Sequence, residues 1–243
     1  MFFKKALFVS VMIFTLTDHV YAETTFEMPE KTASSGVEGK KPVIGNLEGK
    51  DANIYFYGEV SDSKVVELQH ALDKINIKYP KARAINLYLN SGGGDVDAGW
   101  TAYWAIKSSV IPVNTIGAGF VASMASIMYC AGTQRSAMQQ NEFYLHAPAS
   151  YGIRGGGKPD VLKRMEKRLS KVSEKMSEIY AACTSLSQQQ IIDITKSEFF
   201  AKFIDSNEAV KIGLSQQIAE KILPAAATIY IFDKPNSALA NLI

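Results

Sequence analysis

A serine close to a glycine-rich segment is the first side chain in this sequence with a clear chemical use. A strand is predicted over 113–116, a turn at Gly117 and Gly119, and a helix that carries Ser123 in its first turn. Glycine permits close backbone approach, so this turn can hold a hydroxyl beside the unpaired N–H groups of a helix terminus. Those donors would stabilise an oxyanion. The alternative is that the small residues only let a helix pack closely on a sheet.

A serine nucleophile needs a neighbouring base, and imidazole titrates in the useful range. Without the leader described below, the histidines are His70 and His146. His70 lies off the apolar stripe of its predicted helix and is interpreted as a surface residue. His146 ends an apolar strand, where βαβ proteins place functional groups. It is therefore the candidate base, and a structural histidine with satisfied hydrogen bonds is the alternative.

Two glycine motifs admit other chemistry. Residues 117–122 fit GxGxxA after a strand, as in dinucleotide-binding turns, but residues 134–140 offer no acidic ribose partner. Residues 92–94 are three glycines without the Lys-Ser/Thr pair of a phosphate loop. This second motif could instead supply an oxyanion N–H, with Met124 supplying another.

The N-terminus has the pattern of a secretory signal peptide over residues 1–22. A flexible arm is predicted over 23–51, the main domain over 52–223 and a weakly patterned tail over 224–243. Residues after the leader include no apolar run long enough to span a bilayer. We therefore expect a soluble, exported protein, periplasmic or secreted.

Charge and cysteine content exclude several function classes. Removing Lys4, Lys5 and Asp18 from 26 basic and 24 acidic residues leaves 24 and 23, a balance that gives no nucleic-acid footprint. Cys130 and Cys183 lack zinc or CxxC spacing, and no metal or other cofactor is expected. A disulfide is possible in an oxidising compartment, but two separate buried thiols are predicted.

Strands alternate with helices from about residue 53 to 148, which predicts βαβ units and a mainly parallel sheet. The longest helix is predicted over 160–182, with one apolar stripe and a run of basic residues off it. The basic run is interpreted as a solvated face. The alternative is a helix that projects from the sheet and packs on another subunit. Shorter helices at 187–196 and 207–212 and a late strand at 217–222 complete the prediction.

Four ordered motifs resemble ClpP, the proteolytic subunit of the Clp protease. They are Asn-Ser-Gly-Gly-Gly at 90–94, Ala-Ser-Met-Ala at 122–125, Leu-His-Ala-Pro at 145–148 and Asn-Glu-Ala-Val-Lys-Ile-Gly-Leu at 207–214. The resemblance runs from about residue 54 to 218. It implies an α/β ClpP/crotonase-like spiral of ββα units with a projecting handle helix. It also implies homo-oligomeric rings, usually heptamers stacked in pairs.

The resemblance also assigns site residues. Ser123 matches the family nucleophile, His146 the general base, and Gly94 and Met124 the backbone oxyanion donors. An extended peptide would pair by β-augmentation with the main chain at two segments, and the substrate-binding residues so implied are Asp95, Val96, Ala147 and Pro148. Two positions depart from the family pattern, because Gly92 stands where proline is usual and Ala125 where glycine is usual.

The third member of the triad is open. Without gaps the family aspartate falls on Ala201, which cannot orient an imidazole. Three extra residues bring Glu198 onto the position, and a carboxylate of either length can serve. Asp193 and Asp205 remain rivals.

The favoured hypothesis is a serine endopeptidase that hydrolyses extended polypeptides outside the cytoplasm. An exported member would lack ATP, so a Clp ATPase partner is not expected. The alternatives are a catalytically decayed ring that binds peptides, and a serine–lysine protease of the signal-peptide-peptidase kind with Lys158 or Lys163 as base. An acyl-CoA enzyme of crotonase type is least favoured.

Overall fold

A nine-stranded sheet and six α-helices form the part of the chain that the computed structural model describes, residues 23–27, 48–150 and 157–233. The strands are β1 (Glu23–Glu27), β2 (Asp51–Tyr57), β3 (Ala84–Ser91), β4 (Val113–Ala122), β5 (Arg135–Met138), β6 (Glu142–Leu145), β7 (Lys202–Asp205), β8 (Gln217–Ala219) and β9 (Ala227–Phe232). The helices are α1 (Asp62–Lys78), α2 (Val96–Lys107), α3 (Met124–Cys130), α4 (Pro159–Cys183), α5 (Gln188–Lys196) and α6 (Ser206–Lys211), with a 3-10 turn at Glu198–Phe200. The predicted leader and most of the predicted arm lie outside the described residues.

The sheet is mainly parallel, in the order β1-β9-β2-β3-β4-β5-β8. Its antiparallel pairs are β1 with β9 and β6 with β7. Strand β2 is buried along nearly its whole length, as expected for a parallel strand covered on both faces. Successive helices pack on one another from α1 to α5, and their apolar sides close the core over the sheet. The predicted mainly parallel α/β fold with a long helix is confirmed.

Strand β4 differs from the prediction, because it continues through the glycines to Ala122. Its first half pairs with β5 and its second half with β6. A bulge lies between these halves, and side chains satisfy the amides that leave the ladder there. The N–H of Gly119 donates to Asn141 Oδ1 at 3.0 Å and the N–H of Phe120 donates to Asn90 Oδ1 at 3.1 Å. The strand thereby carries its end to the position where Ser123 begins a turn.

The predicted arm and tail both contribute strands. Strand β9 lies beyond the predicted domain boundary at 223 and pairs in parallel with β2, while β1 pairs with β9. The alternation of β9, in which every second residue is buried, is typical of a strand with one buried face. The sheet is therefore wider than the sequence analysis expected.

An ion pair between a buried aspartate and an exposed arginine joins the start of β2 to the residue before β3. Arg83 donates to both carboxylate oxygens of Asp51, at 2.7 and 2.9 Å, and Asn86 donates to the same carboxylate at 3.2 Å. The hydrogen bond from the Arg83 guanidinium is the main cause that holds the pKa of Asp51 below its usual value. Stability from this pair is therefore present above the ordinary pKa and is lost in acid.

The expectation of two separate thiols was wrong. Cys130 and Cys183 form a disulfide, with their Cα atoms 5.7 Å apart. The bond joins the last residue of α3 to the last residue of α4. Both residues are buried, so hydrophobic pattern alone could not distinguish a bridge from two packed thiols.

Helix α4 is buried only in its second half. Val172, Met176 and Tyr180 reach the core, whereas residues 157–171 are exposed or half-buried. The predicted basic run therefore lies on a solvated surface, and the first half of the helix lies outside the core. Among the described residues, no helix combines the length and the apolar character needed to cross a membrane.

Candidate active site

Ser123 occupies a strained turn between β4 and α3. Its φ is 53° and its ψ is −128°, and it is the one non-glycine residue of the described chain with positive φ. It precedes α3 as the N-cap residue instead of lying inside the first turn. Such strain costs about 1–3 kcal/mol and persists where the surroundings fix the backbone. A sharp strand-to-helix turn of this kind exposes the nucleophilic hydroxyl of α/β-hydrolases.

Several hydrogen bonds hold the Ser123 backbone in this conformation. Its N–H donates to the Tyr144 carbonyl at 3.1 Å, which ties the turn to β6. Its carbonyl accepts the N–H of Ser126 at 3.0 Å and the Ser126 hydroxyl at 2.6 Å. The backbone is thus fixed from both sides, and the first N–H groups of α3, beginning with Met124, have no intrahelical acceptor.

The glycine turn after β3 lies directly against Ser123. A Cβ atom on Gly93 would come within 2.5 Å of Ser123 Cβ and 2.9 Å of Met124 N, so only glycine permits this approach. Val60 and Gly94 form a parallel β-bridge. The Val60 carbonyl accepts from the N–H of Asp95, and the Val60 N–H donates to the Gly93 carbonyl, each at 2.8 Å. In a parallel ladder the residue between those two groups directs its own N–H away from the partner strand. The Gly94 N–H is therefore available on the side opposite Val60.

His146 follows β6 and contacts one of the three candidate carboxylates. Its Nδ1 lies 3.3 Å from Glu198 Oε2. The other oxygen of Glu198 accepts a short hydrogen bond from the Tyr144 hydroxyl. The rings of Tyr144 and His146 are stacked, with centroids 5.0 Å apart. The imidazole is therefore held on one face by an aromatic ring and at Nδ1 by a carboxylate.

This contact selects the tautomer of His146. An ionised carboxylate can only accept a hydrogen bond, so in this contact Nδ1 carries the proton and donates a hydrogen bond to Glu198. The neutral ring then has its lone pair at Nε2, which is the state that a general base requires. The side chain of His146 is 14% exposed and that of Glu198 is 62% exposed, so water reaches the carboxylate more readily than the ring.

Ser123 and His146 line the same cavity, whose volume is about 990 Å³. The glycines at 92–94 form one side of it, and Met124 lies beside them. Helix α4 forms the opposite wall with an apolar row and two arginines, namely Val161, Met165, Leu169, Val172, Met176, Arg164 and Arg168. Arg168 is held by Asp97 of α2 at 2.7 Å. The cavity is thus open, apolar along one wall and rich in backbone groups along the other.

The residues expected to pair with a peptide differ in whether their main-chain N–H and C=O groups are already hydrogen-bonded. Val96 and Pro148 line the cavity, and Ala147 is half-buried between His146 and Pro148. Asp95 also lines it, but its N–H donates to Val60, its carbonyl accepts from the N–H of Gly99 and its carboxylate caps α2. Main-chain pairing at Asp95 is therefore closed. Val96 is the first residue of α2, where only its N–H lacks an intrahelical acceptor, so pairing on this side is left mainly to Gly94.

The rival carboxylates are bonded elsewhere. Asp193 accepts from Gln189 within α5, and Asp205 caps α6 by accepting from Glu208 N at 2.8 Å. The carboxylate beside the histidine is that of Glu198. Ala201 directly follows the same 3-10 turn, where its N–H donates to the Glu198 carbonyl, so both alignments with the family motif point to this turn.

Neither candidate lysine lines the cavity. Lys158 precedes α4 and Lys163 lies on the exposed side of that helix. The described residues contain no group of three or more His, Cys, Asp or Glu side chains that could hold a metal ion. Of the described residues that line the cavity, the titratable ones are His146, Glu59, Asp95 and the two arginines, and the imidazole is the group best suited to accept a serine proton.

Tyr144 is the residue of this site that the sequence analysis missed. It lies two positions before His146 in an extended segment, so both side chains point to the same side. The spacing of two residues between Tyr144 and His146 was therefore the sequence signal that could have identified Tyr144. Its hydroxyl gives Glu198 a second fixed contact, which limits rotation of an otherwise exposed carboxylate.

Fold and site together define an α/β protein in which a serine and a histidine line one cavity and a carboxylate contacts the histidine. The family model described as "CLP_protease: Clp protease" matches residues 43–222. The chain therefore belongs to the Clp protease family, a family of serine peptidases.

Individual proteins agree with that membership. The ATP-dependent Clp protease proteolytic subunit 2 of Gluconobacter oxydans is 28% identical over 182 residues, covering 72% of this chain and 78% of that protein. The corresponding subunit of Treponema denticola is 30% identical over 175 residues, covering 69% and 81%. A point mutant of ClpP1 from Listeria monocytogenes has a similar fold, with a TM-score of 0.59 at 23% identity, over 70% of this chain and 91% of that one.

Proposed function

We propose that this chain is a serine endopeptidase that hydrolyses extended polypeptides outside the cytoplasm. Ser123 Oγ attacks the substrate carbonyl, and His146 Nε2 accepts the serine proton and returns it to the leaving amine. Glu198 keeps the ring in the required tautomer, and the N–H groups of Gly94 and Met124 bind the oxyanion. The observation that carries this proposal is the Glu198 contact to Nδ1 of a histidine that shares a cavity with a strained serine.

Hydrolysis of an unfolded protein substrate without ATP tests this function. We expect Ser123→Ala and His146→Ala to lower kcat by at least about 10³-fold. His70→Ala is the matched control, because His70 is exposed on α1 and its loss should leave kcat unchanged. A Ser123→Ala variant with normal turnover would refute the proposal. A correctly folded wild type without turnover would favour the decayed peptide-binding ring.

Export is proposed on two observations, the leader pattern at 1–22 and the disulfide between Cys130 and Cys183. Disulfides persist in oxidising compartments. No ATP-driven partner is proposed, because ATP is supplied in the cytosol and an exported protein would lack it. Intact mass of the protein recovered from cells tests this point. The expected product begins at Glu23 and carries no free thiol, whereas a full-length reduced chain would contradict export.

Assembly into a homo-oligomeric ring is proposed from family membership and from α4. The first half of this helix carries an apolar row of half-buried residues, Val161, Met165 and Leu169. Native mass spectrometry tests the assembly. A monomer at micromolar concentration would contradict it, and a Met165→Glu variant should weaken the ring if this row is covered by another copy.

A further inference from the structure

Helix α3 is attached to α4 at both of its ends. At the far end the disulfide joins Cys130 to Cys183. At the near end, one turn after Ser123, the Ser126 hydroxyl lies 2.7 Å from the Tyr180 hydroxyl. Ser126 and Tyr180 are 0% and 1% exposed, so this pair of hydroxyls is isolated from water.

The direction of these hydrogen bonds follows from the number of protons. The Ser126 hydroxyl has one proton, and it donates that proton to the Ser123 carbonyl at 2.6 Å. Ser126 Oγ must therefore accept from Tyr180. Burial raises the pKa of Tyr180 to about 12, so the phenol keeps its proton. The result is a chain of donors from Tyr180 through Ser126 to the Ser123 carbonyl.

The Ser123 carbonyl and the Met124 N–H belong to one planar peptide unit. Any contact that fixes the direction of the carbonyl oxygen also fixes the direction of the N–H, which points the opposite way. The same contacts polarise the amide, because hydrogen bonds in series strengthen one another. This peptide unit follows the strained φ of Ser123, so it needs such external support.

We propose that Tyr180 and Ser126 are positioning residues that aim the Met124 N–H at the oxyanion. The inference rests on the proposed function, since it takes the Met124 N–H to be an oxyanion donor. Neither side chain touches the substrate, and both act through the peptide unit between Ser123 and Met124. The long helix α4 thus has a role inside the catalytic site besides forming its wall.

A second buried pair on α3 supplies a matched control. Tyr129 and Ser215 share a hydrogen bond of 2.6 Å, and the Tyr129 hydroxyl is buried in the same way. Tyr129→Phe and Tyr180→Phe therefore remove the same group from the same kind of partner. The Tyr129 hydroxyl is hydrogen-bonded to Ser215 and not to the Ser123–Met124 peptide unit, so only Tyr180→Phe should disturb that unit.

The test combines kinetics with a spectroscopic signature. We expect Tyr180→Phe to lower kcat about tenfold with KM unchanged. Complete removal of an oxyanion donor lowers kcat by about 10²–10³-fold, and a misdirected donor should cost only part of that. Tyr129→Phe should keep the wild-type kcat. In protein labelled with ¹⁵N at methionine, Tyr180→Phe should shift the amide resonance of Met124, and Tyr129→Phe should leave it in place.

A double variant separates positioning from stability. Ser126→Ala with Tyr180→Phe removes both hydroxyls, so no buried group is left unpaired and the unfolding midpoint should recover relative to either single variant. We expect kcat to stay low and the Met124 resonance to stay shifted. Recovery of kcat together with stability, or an unshifted Met124 resonance in Tyr180→Phe, would overturn the inference. The resonance does not depend on turnover, so it is readable even if the protein hydrolyses no peptide.

Discussion

Removing the disulfide between Cys130 and Cys183 should destabilise the protein strongly. The two cysteines are separated by 53 residues along the chain. A cross-link over a loop of that length lowers the entropy of the unfolded chain enough to contribute about 4 kcal/mol at 25 °C. Whole domains are stable by only about 5–15 kcal/mol, so this bond would supply a large share of the total.

The assay is urea unfolding of the oxidised wild type and of a Cys130→Ala, Cys183→Ala double variant. Alanine is chosen because both sites are buried and a serine hydroxyl would be left without a partner. We expect the free energy of unfolding to fall by about 4 kcal/mol. Reductant should shift the wild-type midpoint in the same direction and leave the double variant unaffected. A double variant within about 1 kcal/mol of an oxidised wild type would refute this entropic reasoning.

Three further predictions concern the site and the sheet. Gly93→Ala should lower kcat by at least about 100-fold, because the added Cβ displaces Ser123 and the Met124 N–H. Glu198→Gln should lower kcat by about 10²–10⁴-fold through the wrong tautomer, with a smaller change in KM. Asp51→Asn should flatten the acid limb of stability, since the wild type loses the contribution of its lowered pKa as pH falls below about 4, as unfolding midpoints from pH 3 to 7 would show.

The two predictions on the site have control variants, and the third has an outcome that would contradict it. Gly92→Ala adds a Cβ where nothing lies within 4 Å, so it should keep activity, and equal losses at 92 and 93 would contradict the steric argument. Asp193→Asn should keep kcat, because that carboxylate contacts Gln189. If Asp193→Asn lowered kcat and Glu198→Gln did not, Asp193 would be the residue that orients the histidine. An Asp51→Asn variant with an unchanged acid limb would mean that other carboxylates control acid unfolding.

The helices could be predicted well because their apolar spacing is local. The long helix predicted over 160–182 is α4, Pro159–Cys183, and the helix predicted over 187–196 is α5, Gln188–Lys196. Strands were harder where glycine interrupts the pattern. Strand β4 includes two glycines because its bulge is satisfied by asparagine side chains from distant positions, which no local pattern contains.

Contacts between distant residues could be predicted only where family motifs supplied them. The motifs predicted that Ser123 and His146 lie close together, and both line one cavity. An alignment with three extra residues named Glu198 as a candidate partner of the histidine, and the two side chains are in contact. The disulfide and the pair formed by Ser126 and Tyr180 depend on how α4 crosses α3. That crossing is set by packing of whole helices, so residue spacing does not reveal it.

The most direct test of the proposed catalytic centre is covalent labelling of the oxidised, processed protein with a fluorophosphonate, read by intact mass and peptide mapping. The account predicts one adduct per chain on Ser123, no adduct in Ser123→Ala and much slower labelling in His146→Ala. Folded protein that carries no adduct, or carries it on another residue, would contradict the account.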